Sequence, residues 1–296
     1  MKIKSLNFES VNKLIDMAIE EDYGGRDPSS ELVIPASAKG KAYIVTREEI
    51  VVSGMPVARE TLKRYNPKLK LKIFKQDGER ARVADRLGVI EGPVRSMLSA
   101  ERVVLNFLQR LCGIATMTYK YVYAVRGTKA KIYDTRKTIP GWRELEKYAV
   151  RCGKGYNHRY NLSEAVMFKD NHIVQLGKNL TPRLKKLVAD AKKIESVKFV
   201  CVEVDHVDDQ LNYVLKVPGI DVVLLDNMGQ WQYKNAVEMR NKMCNGKPLL
   251  EASGGITLNN VRQIALCGVD RISIGAITHS AVSVDIGLDR EFSTDV

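Results

Sequence analysis

Residues 198–227 read KFVCVEVDHVDDQLNYVLKVPGIDVVLLDN. Two runs rich in valine and leucine, 199–204 and 221–225, flank a segment at 208–216 whose apolar residues fall at helical spacing. Strand, helix and strand in one short stretch make a βαβ unit, in which the helix carries the chain back so that the strands run parallel. The same grammar extends outward in both directions. Apolar runs recur at 131–133, 165–168, 248–252 and 271–274, with helical patterns at 182–194, 230–243 and 257–266. This alternation predicts an α/β fold with a parallel sheet.

Upstream the pattern is mixed. Val11, Leu14, Ile15, Ala18 and Ile19 predict an amphipathic helix over 8–21, stopped at Asp22-Tyr23-Gly24-Gly25, and residues 26–30 read as loop. Strand-like segments follow at 41–46, 50–53, 70–74 and 88–90, with a helix over 56–65. The apolar stretch 97–126 predicts two helices, or one bent at Gly113, linking two domains.

Parallel strands deliver their C-terminal ends to one face, so polar residues placed there converge although they are distant in sequence. Ile132-Tyr133 leads into Asp134-Thr135-Arg136-Lys137, and Met167-Phe168 into Lys169-Asp170-Asn171-His172. Val202-Glu203-Val204 leads into Asp205, Leu224-Leu225 into Asp226-Asn227, Glu251-Ala252 into Ser253-Gly254-Gly255, and Ser273-Ile274 into Gly275. Loop starts alone do not require Lys, Arg, Asp and Gly-Gly together. Glycines after the last two strands, with Thr257 as the expected N-cap of the next helix, predict a phosphate site.

The charge balance agrees. Among 296 residues, 47 Lys and Arg oppose 35 Asp and Glu, a net +12 that points to anionic partners. A composition 45% hydrophobic and 28% charged excludes a disordered chain, and no apolar run approaches the ~20 residues of a membrane span. Residues 1–10 lack the apolar core of a secretory signal. Five cysteines (112, 152, 201, 244, 267), odd in number and without a CxxC pair, fit reduced thiols in the cytoplasm, not a disulfide framework or zinc site. Arg143, Lys147 and Arg151 recur at helical spacing beside Glu144 and Glu146 and read as a solvated face. Arg136, Lys137, His158, Arg159 and Lys169 stand in loops or at strand ends, where several cations could hold a ligand with several negative charges. A nucleic-acid binder would interleave its cations with exposed aromatics, whereas Tyr119, Tyr121 and Tyr123 alternate within a helical segment. Neither nucleic acid nor membrane is therefore expected as a partner.

Longer motifs carry a specific likeness. Asp134-Thr135-Arg136-Lys137-Thr138, Pro140-Gly141, the run from Leu145 to Gly153 and Asn157-His158-Arg159 resemble quinolinate phosphoribosyltransferase, the carboxylating nicotinate-nucleotide pyrophosphorylase family. Lys169-Asp170-Asn171-His172, Leu224-Leu225-Asp226-Asn227, Glu251 through Thr257 and Ser273 through Ala276 extend the resemblance. Upstream, Ala100-Glu101-Arg102, Leu105-Asn106, Gly113 through Thr116 and Glu21-Asp22 through Asp27 match as well, so the likeness covers essentially the whole chain.

The resemblance implies an N-terminal α/β sandwich domain over 1–115, an incomplete α/β barrel of about seven strands over 116–280, and a tail over 281–296 that can return to the first domain. It implies transfer of phosphoribose from phosphoribosyl pyrophosphate to quinolinate with loss of CO2, Mg2+ as cofactor, and a cytoplasmic homodimer, in some members a hexamer, in NAD biosynthesis. By matching position, Thr135, Arg136, His158, Arg159 and Lys169 would surround the quinolinate carboxylates, with Arg102 arriving from the neighbouring subunit. Lys137 would meet the pyrophosphate, while Asp205 and Asp226 serve ribose hydroxyls and metal, directly or through water. Ser253, Gly254, Gly255, Gly275 and His279 would hold the 5′-phosphate. Ile139, Trp142 and Lys154 depart from the family pattern, and Asp205 stands where Glu is common, so Glu203, two residues earlier, is added to the catalytic set. The alternative is a same-fold protein of a molybdenum operon with another substrate; the full set Arg102, Arg136, Arg159 and Lys169 favours a dicarboxylate.

Overall fold

A computed structural model describes residues 3–169, 171–172 and 180–291; Asp170 of the 169–172 motif and residues 292–296 of the expected tail lie outside the described residues. The chain divides into two compact units that interleave along the sequence. One runs to Tyr119 and takes in Thr138–Lys154 and the chain from Ile277 onward; the other is Lys120–Lys137 with Gly155–Ala276. Boundaries near 115 and 280 were expected, but the segment 138–154 groups with the first unit, because its helix is anchored there by buried ion pairing.

In the first unit, β1 (Lys39–Thr46), β3 (Lys70–Ile73), β5 (Arg86–Pro93) and β12 (Ile286–Glu291) form an antiparallel sheet in the order β12-β1-β5-β3. Short strands β2 (Ile50–Val51) and β4 (Arg80–Ala81) pair separately. Ala42, Ile44, Leu87 and Ile90 from the sheet pack with Met97, Val104 and Leu108, and Val284 and Ile286 complete the same core. Each fully buried aliphatic side chain of this kind stabilises the fold by about 1.5–3 kcal/mol.

Helix α1 (Phe8–Tyr23) starts at Asn7, whose side chain accepts the Glu9 N–H, and stops at Gly24 in the left-handed conformation. Of residues 26–30, expected as loop, 28–30 are helical. Asp27 caps the Ser30 N–H and Pro28 occupies the first turn, which starts helix α2 (Pro28–Val33). Helix α3 spans Met55–Tyr65. The stretch expected to break or bend is one unbroken helix, α4 (Val94–Ala124). Gly113 serves a close approach: a Cβ there would lie 2.1 Å from the Val282 carbonyl oxygen.

Helix α5 (Arg143–Cys152) corrects the expectation of a solvated charged face. Glu146 and Lys147 are buried. Glu146 accepts from Arg110 Nη2 at 2.7 Å and from the Ile139 N–H at 3.3 Å, while Arg110 also donates to the carbonyls of Thr278 and Ala281. Burial raises the Glu146 carboxyl, opposed by Arg110. Charge spacing alone does not distinguish a face paired with water from one paired inside the unit.

In the second unit, β6 (Lys131–Tyr133), β7 (Ala165–Phe168), β8 (Phe199–Val204), β9 (Val222–Asp226), β10 (Leu249–Ser253) and β11 (Arg271–Ser273) are all parallel, in the order β6-β11-β10-β9-β8-β7. Tyr156 adds an isolated parallel bridge to Tyr133, on the free side of β6, where a seventh strand would lie. Helices α6 (Leu180–Ala191) and α8 (Gln230–Cys244) occupy crossovers; the crossover after β8 opens as a π-helical turn, Val207–Leu211, before α7 (Asn212–Leu215). Helix α9 (Val261–Leu266) begins later than expected. Asn260 accepts the Thr257 N–H and donates to the Gly255 carbonyl, so Thr257 belongs to the preceding turn. No helix among the described residues is long and apolar enough to cross a membrane. The five cysteines are unbridged, and burial pushes the Cys152 thiol up to about 12, which removes its nucleophilic form.

Candidate active site

A cavity of about 380 Å3 opens at the C-terminal ends of the parallel strands. Nine of the expected residues line it: Thr135, Arg136, Lys137, His158, Arg159, Lys169, Glu203, Asp226 and Ser253. They come from five separate strand ends and the 156–159 loop, as the parallel topology requires.

The loop geometry has identifiable causes. Asp134, fully buried behind β6, accepts the His158 N–H at 2.7 Å and the Asn157 side chain at 2.6 Å. This fastens the Asn157-His158-Arg159 segment beside the strand. The Arg159 N–H donates to His158 Nδ1 at 2.8 Å. Arg159 itself is only 8% exposed; its guanidinium donates to the Ala165 carbonyl at 2.9 Å and reaches Met167 Sδ at 3.7 Å. No carboxylate among the described residues hydrogen-bonds it. Burial, with repulsion from Arg136, pushes its proton affinity below the usual arginine range. A buried guanidinium whose hydrogen-bond partners are neutral, with Glu203 attracting it only at longer range, is suited to an anion from outside the chain.

Lys169 is differently placed. Its ammonium contacts Glu203 Oε2 at 2.8 Å, and Glu203 is largely buried. A ligand carboxylate at Lys169 would compete with this internal partner.

Of the two acidic residues expected at the end of β8, Glu203 lines the cavity and Asp205 does not. Strand alternation turns Glu203 into the cavity, with Leu224 of β9 as its register partner, whereas Asp205 lies past the end of β8 and off the cavity wall. The Asp205 N–H is held by the Gln210 side chain at 2.8 Å. Glu203 and Asp226 thus line the cavity beside the cations, as does Glu251, which is fully buried and paired with Arg271. No group of three metal-ligating side chains occurs among the described residues. Two carboxylates suit a hard divalent ion that draws its remaining oxygens from water and a ligand's phosphates.

Gly254, Gly255 and Gly275 belong to this unit but do not line the cavity. Gly254 has φ +84°, and a Cβ on it would meet the Asn227 backbone nitrogen at 2.7 Å, so the loops after β9 and β10 interlock closely. Arg102 and His279 lie in the other unit. Arg102 is exposed on α4, beside a depression shared with Asp22, Arg26 and Ser99, and His279 contacts the Ser280 hydroxyl at 2.7 Å.

Two charged residues of the barrel interior had not been assigned a role. Glu251, fully buried, lies between His158 Nε2 at 3.3 Å and Arg271 Nε at 2.6 Å; Arg271 stacks on the Tyr133 ring with its guanidinium carbon 3.9 Å from the centroid. Burial would raise the Glu251 carboxyl, but His158, Arg271 and Ser273 outweigh it and hold it below the usual carboxylate range. The signal was present. Glu251 and Arg271 stand two residues before Ser253 and Ser273, on the same strand faces.

Comparison with known proteins follows the same outline. The family model for the quinolinate phosphoribosyl transferase C-terminal domain matches residues 114–289, and that for the N-terminal domain matches 27–112. The chain is 38% identical over 290 residues to the nicotinate-nucleotide pyrophosphorylase [carboxylating] of Mycobacterium leprae, covering 97% of this chain and 99% of the relative. It is 36% identical to a probable enzyme of the same name from Bacillus subtilis, covering 98% and 96%. The solved nicotinate-nucleotide pyrophosphorylase of Francisella tularensis superposes with a TM-score of 0.88 at 36% identity, covering 98% of this chain and 99% of that one.

Proposed function

The chain belongs to the quinolinate phosphoribosyltransferase family, and on that premise we propose that its barrel cavity transfers phosphoribose from phosphoribosyl pyrophosphate to quinolinate, with release of pyrophosphate and CO2. The observation that carries this reading is the buried Arg159 guanidinium, hydrogen-bonded to no carboxylate among the described residues and set in a cavity with Arg136, Lys137 and Lys169. A pyridine with two adjacent carboxylates supplies the missing anions. The molybdenum-operon alternative draws no support from the matched relatives.

The residues have distinct work. Arg136, Arg159 and Lys169 would orient the pyridine so that its nitrogen lone pair points at C1 of the sugar, a positioning effect that removes much of the entropic barrier. As the C1–oxygen bond breaks, its electron pair leaves with pyrophosphate, and Lys137 would stabilise that charge. Glu203 and Asp226 would hold ribose hydroxyls and answer the positive charge that develops on the sugar. The ring nitrogen, now bonded to C1 and cationic, draws in the electron pair left when the neighbouring carboxylate departs as CO2. A proton from water then replaces it on carbon. Mg2+, held by Asp226 and Glu203 directly or through water, would neutralise pyrophosphate oxygens. Ser253 and the loops at Gly254, Gly255 and Gly275 would receive the 5′-phosphate. A cytoplasmic homodimer, with Arg102 lent to the partner's cavity, completes the reading.

The test is an assay for CO2 and pyrophosphate released together from quinolinate and phosphoribosyl pyrophosphate, with nicotinate as control. Equal turnover of nicotinate without CO2 would refute the dicarboxylate reading.

A further inference from the structure

His158 was expected to touch the ligand, yet both of its ring nitrogens face the protein. Nδ1 accepts the Arg159 backbone N–H at 2.8 Å, and Nε2 faces Glu251 Oε1 at 3.3 Å. A neutral imidazole carries its proton on one nitrogen and accepts at the other. Accepting at Nδ1 therefore places the proton on Nε2, toward Glu251. A carboxylate can only accept, so an ionised Glu251 selects that tautomer. The opposite tautomer would set an Nδ1–H against the Arg159 N–H, donor against donor.

We propose that Glu251 is a positioning residue for carboxylate recognition: through His158 it fixes the backbone at Arg159 and so aims the buried guanidinium into the cavity. The inference rests on the quinolinate reading above and deepens it. Asp134 secures the same segment from the other side, through the His158 N–H. Arg271 Nε stands 2.6 Å from the second oxygen of Glu251, an ion pair that balances the buried carboxylate. The arrangement follows the logic by which a buried carboxylate orients a histidine in other enzymes, here serving binding in place of proton transfer.

The competing account is that Glu251 only neutralises Arg271. Two double variants separate them, since both remove the buried charge pair. In Glu251→Gln with Arg271→Met, the amide oxygen is free to accept from His158 Nε2–H. In Glu251→Met with Arg271→Met, nothing accepts. We expect the Met/Met protein to raise the quinolinate KM and Kd about tenfold or more, roughly 1.4 kcal/mol. The Gln/Met protein should stay within about threefold of wild type, and the phosphoribosyl pyrophosphate KM should move by less than about twofold in both. Equal behaviour of the two variants toward quinolinate overturns the proposal. Nitrogen-15 spectra of the wild-type imidazoles give a reading that needs no variant and no turnover: His158 should show an unprotonated Nδ1, and a protonated Nδ1 overturns the relay. Because that spectrum is independent of substrate, its failure is distinct from failure of the assigned reaction.

Discussion

Replacing Arg159 by methionine should separate ligand affinity from stability. The side chain is 8% exposed, and its head group meets only the Ala165 carbonyl and the Met167 sulfur at hydrogen-bond distance. In the ligand-free protein the hydrogen bond to Ala165 contributes about 1 kcal/mol. Against it stands the desolvation of a cation, several kcal/mol even after relaxation, with repulsion from Arg136 and partial compensation by Glu203. Methionine fills similar length and removes both. The unfolding free energy in urea should therefore stay level or rise by about 1 kcal/mol. Binding should respond in the opposite direction. A charge-assisted hydrogen bond to a carboxylate contributes about 1.5–3 kcal/mol, and a ligand carboxylate left against an apolar wall adds to the loss. A total of about 3–4 kcal/mol lowers quinolinate affinity by roughly 10²–10³. Calorimetric titration with quinolinate reads one quantity and urea unfolding the other. A variant that loses more than about 2 kcal/mol of stability while binding quinolinate normally would show the guanidinium to be a structural brace, and the reasoning would be wrong.

Gly113→Ala would normally favour a helix by about 1 kcal/mol, but the new Cβ meets the Val282 carbonyl oxygen; the variant should instead lose about 1–3 kcal/mol, and an unchanged or higher Tm would refute the close approach. Asp270 accepts from Arg240, Lys129 and the Leu250 N–H. Burial opposes ionisation there, but these partners outweigh it and hold the carboxyl below its ordinary 3.8. Its contribution is thus complete above the unfolded value and fades as pH falls through the folded one. Asp270→Asn should cost about 3 kcal/mol at pH 7, with the gap to wild type closing below about pH 4; a gap independent of pH in urea titrations would contradict the ion-pair account. Finally, Arg102→Ala subunits mixed with Lys137→Ala subunits should regain partial turnover if Arg102 serves the partner's cavity, and verified mixed dimers without recovery would assign each cavity to one chain.

The parallel sheet was legible because its signals are local: valine-rich runs of strand length, helical spacing between them, and polar residues one step beyond each run. Those strand ends also located seven residues of the cavity, and the 156–159 loop adds His158 and Arg159. What escaped depended on partners elsewhere in the chain. Glu146 and Lys147 look like surface charge until Arg110 is seen beside Glu146. Gly113 reads only as a soft point in a helix until the Val282 carbonyl is seen against it. Glu203 and Asp205 share a face by strand alternation, so the sequence offered both; what separates them is that β8 ends at Val204, leaving Glu203 on the cavity wall and Asp205 in the following turn. Helix α2 was missed although its Asp-Pro start is a local capping signal. Of the expected phosphate site, Ser253 alone lines the cavity, while Gly254 has a packing reason for its left-handed conformation.

The pairing of β12 with β1 ties the order of synthesis to the order of assembly. Val284 and Ile286 belong to the core that β1 and α4 begin, and nearly the whole barrel is translated in between. The first unit therefore cannot close its sheet while the ribosome is still making the second. Until Ile286 has emerged, one edge of β1 offers unsatisfied backbone groups to any passing strand, a hazard for the nascent chain that local contacts cannot remove. The half of the protein made first is the half finished last.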